Sequence, residues 1–148
     1  MSGTTPPLGG LRIVEIACDI AGAYCAKLLA DLGAQVTKIE PPGGDPLRAW
    51  GPFPGAVPHP DRSGLFEYLN AGKEGVTLDL ADDADLAVAR AVVGDADVLV
   101  ESLPPGTLDR WGLDGHALQA IHPHLVVVRI SSFGQSGPWR DREATPLT

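Results

Sequence analysis

The sequence predicts an α/β fold in which a parallel sheet is wound with helices, and three observations support it. Short runs rich in β-branched residues alternate with helix-forming segments along the chain, which is the order in which βαβ units build a parallel sheet. Residues 11–40 form the first such unit, and a helix between two short strands makes those strands parallel and the crossover right-handed. A chain of 148 residues is long enough for one domain with its own core.

The first unit supplies four predicted elements. Arg12–Ile16 is a β-rich run, Ala17–Gly22 is a loop of small residues, and Ala23–Leu32 contains good helix formers with apolar residues three and four apart. Gly33 is placed to end the helix in the left-handed conformation, which a residue without Cβ adopts at little cost. Gln35–Ile39 is the second strand.

The segment Pro41–Ser63 carries seven prolines and is predicted to be irregular, because proline is excluded from helix interiors and central strands. An irregular segment of this length in a small domain is usually functional or covers something. Gly64–Asn70 is predicted to form one or two helical turns.

The remaining chain continues the alternation and ends in a second Gly-rich loop. The predicted strands are Val76–Leu80, Asp97–Glu101 and Leu125–Ile130; the predicted helices are Ala84–Val93, Thr107–Trp111 and His116–Ile121; the loop is Ser131–Pro138. The unbroken apolar run of the last strand predicts that it is covered on both faces of the sheet.

Composition excludes several classes of partner. The net charge of −8 argues against nucleic acid and anionic membranes, which require a basic surface. No apolar run approaches the roughly 20 residues of a membrane span. Residues 1–7 are predicted to be a disordered arm without the features of a secretory signal, so a cytoplasmic location is expected.

Cys18 and Cys25 have no neighbouring histidine or matching pair, so neither a metal site nor a disulfide is expected.

The predicted chemistry lies at the carboxyl edge of the sheet. In an open α/β sheet, ligands bind beyond the carboxyl ends of the strands, near the point where the strand order reverses. The loops expected there are Ala17–Gly22, Glu40–Asp45, the turn after Leu80, Ser102–Gly106 and Ser131–Gly137. Arg48, Lys73 and Arg110 are the cations beside these loops, and each is a candidate partner for a phosphate.

None of the common cofactor-binding or catalytic motifs identifies the reaction. Glu40 ends the second strand, where a dinucleotide-binding protein holds the ribose, but Gly22 alone does not make the G-x-G-x-x-G fingerprint. Glu40 is therefore interpreted as a surface acid or as an anchor for its loop. The sequence also lacks a P-loop and a Gly-x-Ser-x-Gly nucleophile elbow, and its four histidines lack metal-ligand spacing. The residues alone indicate an α/β domain that binds a ligand at the loops along the carboxyl edge of its sheet.

Segments at these same loops resemble the family III CoA-transferases, which include formyl-CoA transferase, carnitine and bile-acid CoA-transferases and the α-methylacyl-CoA racemases. The matching segments are residues 7–15, 21–22, 28–48, 70–73, 76–80, 96–101, 105–110 and 133–138. Each segment is weak alone, but their order and spacing are specific.

The resemblance implies a Rossmann-like parallel sheet with helices on both faces, with residues 8–148 as the N-terminal part of a larger fold. Two subunits would interlock, or a second chain would complement this one. CoA would be a substrate rather than a cofactor, and no metal is implied. The implied CoA contacts are Asp19, Ile20, Leu78, Ser102, Arg110, Trp111, Gly134 and Gly137, the two glycines lying near the thioester.

The implied activity moves CoA between a thioester donor and a carboxylic acid acceptor. The aspartate that carries the acyl group in this family is expected beyond residue 148, so no catalytic residue is assigned and the chain alone is expected to be inactive. The His-Asp pair of the racemase branch falls on Thr145 and Pro146, which argues against racemase chemistry. The alternative is a non-catalytic CoA-binding or partner subunit, complemented by another chain.

Overall fold

A computed structural model describes residues 6–144. Its single sheet has five strands: β1 Arg12–Ile16, β2 Gln35–Glu40, β3 Glu74–Thr77, β4 Val98–Glu101 and β5 Val126–Arg129. All neighbouring strands are parallel and lie in the order β3-β2-β1-β4-β5. The predicted parallel α/β sheet is confirmed.

Five α-helices connect or flank the strands: α1 Ile20–Asp31, α2 Gly64–Asn70, α3 Asp83–Gly94, α4 Thr107–Arg110 and α5 Gly115–Ile121. The proline-rich segment is mostly irregular, as predicted, and contains two short 3-10 turns, Pro46–Ala49 and Pro54–Ala56. No helix in residues 6–144 is long and apolar enough to cross a bilayer.

The alternation of side chains along β1 divides the core between the two faces of the sheet. Ile13 packs with Ala26 of α1 on one face, and Val14 packs with Leu86 and Ala89 of α3 on the other. Successive strand residues point to opposite faces. Helices therefore cover both faces, as the resemblance implied.

Helix α1 begins three residues earlier than predicted, at Ile20 rather than Ala23. The Asp19 carboxylate accepts a hydrogen bond from the Gly22 N–H at 2.9 Å, so Asp19 caps the helix. The predicted loop 17–22 is therefore too long, because the Asp19 cap allows residues 20–22 to join the helix. At the other end, Gly33 has φ +98°, which confirms its predicted left-handed conformation.

Strand β3 is displaced toward the N-terminus, covering 74–77 instead of 76–80. Its register pairs Val76 with Ile39 and Thr77 with Glu40, where β2 ends, so the ladder has no further partner. Leu78 still donates its N–H to the Glu40 carbonyl at 2.9 Å, and then leaves the sheet.

Strand β5 lies at an edge of the described sheet, and its two faces are partly covered: Val127 packs against the core cluster on one face and Val128 against the cluster on the other. The strand pairs only with β4, and Val126 is 54% exposed. An apolar run therefore marked a strand correctly but overstated its cover.

The start of the described chain packs on the end of α1. Pro6 lies against Gly33, where a Cβ would approach Pro6 Cβ to 2.2 Å, and the Leu8 N–H donates to the Leu32 carbonyl. Residues 1–5 of the predicted arm lie outside the described residues.

Candidate functional site

The candidate site lies where the strand order reverses. From β1 the chain winds through β2 to β3 and then crosses back to β4 and β5, so the loops after β1 and β4 diverge at the carboxyl edge. Ser102, after β4, donates its hydroxyl hydrogen to Asp19 Oδ1 at 2.7 Å. The same oxygen caps α1 through Gly22. One carboxylate thus joins both loops and the N-terminus of the helix.

Gly22 allows this junction to close. A Cβ there would lie 2.5 Å from Ser102 Oγ and 2.6 Å from Ala17 Cβ, closer than any real contact. The absence of a side chain lets the first turn of α1 pack directly on the two strand ends, which is the packing that a glycine provides in dinucleotide-binding folds. In the sequence Gly22 is visible only as an incomplete fingerprint, because its packing role depends on contacts with Ser102, which is distant in the chain.

A cavity of about 650 Å³ opens beside this junction. It is lined by the loops after β1, β4 and β5 and by the segment that follows them, including Cys18, Asp19, Ser102, Leu103, Ile130, Phe133 and Arg140. Its volume lies within the roughly 300–1,000 Å³ of small-molecule sites.

Two smaller apolar cavities adjoin it, and all three share Cys18. One, of about 160 Å³, lies between Leu78 and Trp111. The other, of about 270 Å³, is bounded by Ile20 and Trp50. The three spaces run along one edge of the sheet and suit an extended ligand rather than a compact one.

Cys18 forms a wall of these cavities and is not an activated nucleophile. Burial, and then the Asp19 charge, raise the pKa of the Cys18 thiol above its ordinary value. A thiol whose pKa is raised stays protonated at neutral pH and reacts slowly.

The structure brings some of the expected CoA contacts together and leaves others apart. Asp19 and Ser102 line the large cavity, whereas Ile20, Leu78 and Trp111 line the smaller ones. Arg110 lines none of these three spaces; it is exposed, with Nη2 3.4 Å from Thr107 Oγ1.

Gly134 and Gly137 lie in the loop between Phe133 and Arg140, which both line the large cavity. Their φ angles are +83° and +95°, and no atom lies within 4 Å of the Cβ that either would carry. A non-glycine residue would be strained at both positions whatever the space around it.

Two of the three candidate phosphate-binding cations, Arg48 and Lys73, are already paired with carboxylates. Arg48 binds both Glu40 oxygens at 2.8 Å, and Glu40 also accepts the Asp45 N–H at 3.0 Å. Glu40 is 8% exposed, which confirms its interpretation as a loop anchor.

Lys73 belongs to a buried ion network under the site. Its ammonium group lies 2.6 Å from Glu15 Oε2 and 2.8 Å from the Ala23 carbonyl. Lys38 binds the other Glu15 oxygen at 2.7 Å and Asp45 at 2.8 Å. The network therefore ties the strands to α1 and to the loop after β2.

The two lysines respond differently to the same burial. Burial lowers the pKa of Lys73 below its ordinary value. Burial also opposes the charge on Lys38, but Glu15 and Asp45 outweigh it and raise the pKa of that lysine. The network was not predicted, although charged residues at inward strand positions are a signal for it, because a buried charge must be paired.

A second ion network lies at the base of the loop after β4, which lines the cavity. Arg129 of β5 donates to Glu101 at 2.7 Å and to Asp109 of α4 at 2.9 Å. The other Glu101 oxygen accepts the Leu103 N–H at 2.9 Å. Strands β4 and β5, helix α4 and the loop after β4 are thereby held together. Among residues 6–144, no group of three or more potential ligands could hold a metal ion.

The model of CoA-transferase family III matches residues 8–147. The chain belongs to this family. The family resemblance stated from the sequence is thus confirmed, and the cavities described above are those of a family III CoA-transferase chain.

Two curated relatives come from Chloroflexus aurantiacus. A succinyl-CoA–D-citramalate CoA-transferase is 40% identical over 96% of this chain, and a succinyl-CoA–L-malate CoA-transferase beta subunit is 41% identical over 96%. The chain spans 35% of the length of each. A CAIB/BAIF family protein of Brucella suis superposes with a TM-score of 0.87 at 36% identity, over 97% of this chain and 38% of that one.

Proposed function

We propose that the protein is an acyl-CoA transferase, which moves CoA between a thioester donor and a carboxylic acid acceptor. The observation that carries the proposal is the row of three cavities along the carboxyl edge, joined at Cys18. Membership of CoA-transferase family III supports CoA as the ligand of this edge.

In the proposed complex, CoA contacts the residues that the resemblance implied. These are Asp19, Ile20, Leu78, Ser102, Arg110, Trp111, Gly134 and Gly137. Leu78 and Trp111 offer apolar walls, the two glycines allow close approach of the backbone, and the exposed guanidinium of Arg110 suits a phosphate. The nucleophilic carboxylate is expected beyond residue 148, so this chain alone binds CoA but does not turn over.

The substrate class proposed here is a dicarboxylic acid. The two curated relatives are named for succinyl-CoA with citramalate or malate, and all three acids carry two carboxyl groups. One carboxyl group forms the thioester, and the second remains as an anion that the site must accommodate.

A second candidate is a partner subunit that needs another chain. One relative is named as a beta subunit, and chains named as alpha subunits are 38% identical to this one. Under this proposal the site is completed by a different polypeptide, whereas the first proposal uses an interlocked pair of identical cytoplasmic chains.

Calorimetric titration of CoA and acetyl-CoA into the purified chain tests the first proposal. We expect binding that weakens about tenfold in Arg110→Ala, since a hydrogen bond to a charged group contributes roughly 1.5–3 kcal/mol. The matched control is Arg62→Ala, which removes an exposed arginine from the proline-rich segment. Equal affinity in both variants would contradict the role of Arg110, and the absence of binding by folded wild-type chain would favour the partner-subunit proposal.

A further inference from the structure

Arg140 is a cation on the wall of the large cavity that none of the expected contacts includes. Its guanidinium rests on the loop after β4, where a Cβ on Gly106 would lie 2.6 Å from Arg140 Nη2. Gly106 has φ +80° and no side chain, so the guanidinium lies directly against the backbone there.

Arg140 lacks the close carboxylate partner that Arg48 and Arg129 possess. Its Nε is buried and makes no hydrogen bond within the described residues. The nearest carboxylate among the described residues is that of Asp141, whose Oδ1 lies 3.5 Å from Arg140 Nε and whose side chain is 85% exposed. An ion pair exposed to water in this way contributes little stability. Arg48 and Arg129, by contrast, each hold a carboxylate at 2.7–2.8 Å.

Arg142 is the other arginine that lines this cavity, and its guanidinium lies against an aromatic ring. Arg142 lies over the Trp139 ring, with its guanidinium 5.7 Å from the ring centroid. Serine hydroxyls of the loop after β5, Ser131 and Ser132, also line the cavity. Acidic residues line the same cavity, namely Asp19, Asp141 and Glu143. Beside them, the wall that carries Arg140 offers a guanidinium and two serine side chains to an oxyanion.

We infer that Arg140 binds the free carboxylate of a dicarboxylic acyl group and so selects carboxyacyl thioesters over uncharged ones. This inference rests on the proposed function and assigns a specificity residue to it. A guanidinium presents paired N–H donors that match a carboxylate or a phosphate. Arg140 lines the large cavity a few residues beyond Gly134 and Gly137, which the resemblance places near the thioester. Arg110 lies outside that cavity, so the acyl end is the anion closest to Arg140.

Two thioesters that differ only at the distal group test the inference. Succinyl-CoA and butyryl-CoA carry four-carbon acyl groups, one ending in a carboxylate and the other in a methyl. By calorimetry, the wild-type chain is expected to bind succinyl-CoA at least about tenfold more tightly. Arg140→Gln is expected to bring that ratio close to one, and Arg140→Lys to retain part of it.

Unacylated CoA and a second variant separate the alternatives. Arg140→Gln is expected to change the affinity for CoA and butyryl-CoA by less than about twofold, because neither has the distal carboxylate. Arg142→Gln removes the same charge from the same segment and is expected to preserve the succinyl preference.

Each contrary result has a distinct meaning. Equal weakening of all three ligands in Arg140→Gln would show that Arg140 binds a CoA phosphate and would overturn the inference. Loss of the preference in Arg142→Gln but not in Arg140→Gln would also overturn it. Tight CoA binding without any succinyl preference would refute the inference alone, whereas a folded chain that binds none of the ligands would refute the proposed function as well. Circular dichroism of each variant establishes folding.

Discussion

The residue that most directly limits the geometry of the site is Gly22. Gly22→Ala places a methyl group where Ser102 Oγ and Ala17 Cβ lie 2.5 and 2.6 Å away, so α1 must move off the strand ends. We expect a loss of about 1–3 kcal/mol in the free energy of unfolding, typical of overpacking, and weaker CoA binding because the Asp19–Ser102 hydrogen bond is displaced. Urea denaturation and calorimetry measure the two effects.

Gly43→Ala provides the control for that change. Gly43 has ordinary φ and no atom within 4 Å of its added Cβ, so its stability is expected to stay within about 0.5 kcal/mol of wild type. If Gly22→Ala were as stable as Gly43→Ala, the contacts between α1 and the strand ends would accommodate a methyl group without loss of stability.

Individual residues were predictable from the sequence to unequal degrees. The family resemblance pointed to Asp19 and Ser102, although their mutual hydrogen bond depends on strands distant in sequence. The carboxylate partners of Arg48 and Lys73 were not predictable, because a cation beside a loop looks the same in the sequence whether it is free or paired. The partner of Lys73, Glu15, lies 58 residues away in the sequence, and only the sheet order brings them together.

At the scale of elements, helix α4 depends on Arg129. The helix has four residues and no side-chain cap at Gly106, so its position rests on tertiary contacts. Arg129→Met leaves the Glu101 side chain, 2% exposed, without its cation. Removing one partner of a buried pair typically costs about 3–5 kcal/mol, and we expect destabilisation in that range, reduced somewhat because Arg129 is itself partly exposed. Urea midpoints test this.

Asp109→Asn separates the two halves of this network. It weakens only the contact of Arg129 with a carboxylate whose side chain is 39% exposed, so less than about 1 kcal/mol should be lost. If both variants were equally destabilised, the buried Glu101 pair would not be the dominant contact.

Element types followed from the sequence more reliably than element boundaries did. Hydrophobic runs and glycine stops identified all five strands and the main helices, because those signals are local. The shifts at α1 and β3 arose from a side-chain cap and from the end of a neighbouring strand, which are contacts rather than propensities.

For the whole molecule, the parallel sheet was predictable from the sequence, but the exposure of its edge strand β5 was not. Strand β5 is as apolar as a buried strand, yet it has one neighbour in the described sheet. A sequence pattern reports what a strand can bury, whereas the cover itself comes from elements elsewhere in the protein.

Acid stability is a further property of the whole fold that one buried carboxylate should influence. Burial alone would raise the pKa of Glu40, but hydrogen bonds from Arg48 and the Asp45 N–H outweigh it and lower that pKa. A carboxyl group whose pKa is lower in the folded than in the unfolded state, where it is about 4.3, stabilises the fold above that pH. The contribution is lost as the pH falls through the folded-state pKa.

We therefore expect Glu40→Gln to be less stable than wild type at pH 7, with the difference narrowing as the pH falls below about 4. The measurement is urea unfolding of both chains at several pH values. Asp61→Asn controls for the lost charge, since Asp61 lies 3.5 Å from Arg48 but is 74% exposed, and it should change stability at pH 7 by less than about 0.5 kcal/mol. A wild-type advantage over Glu40→Gln that stayed constant down to pH 2 would mean that the Glu40–Arg48 pair stabilises the loop through packing rather than through its charge, because only the charge is lost on protonation.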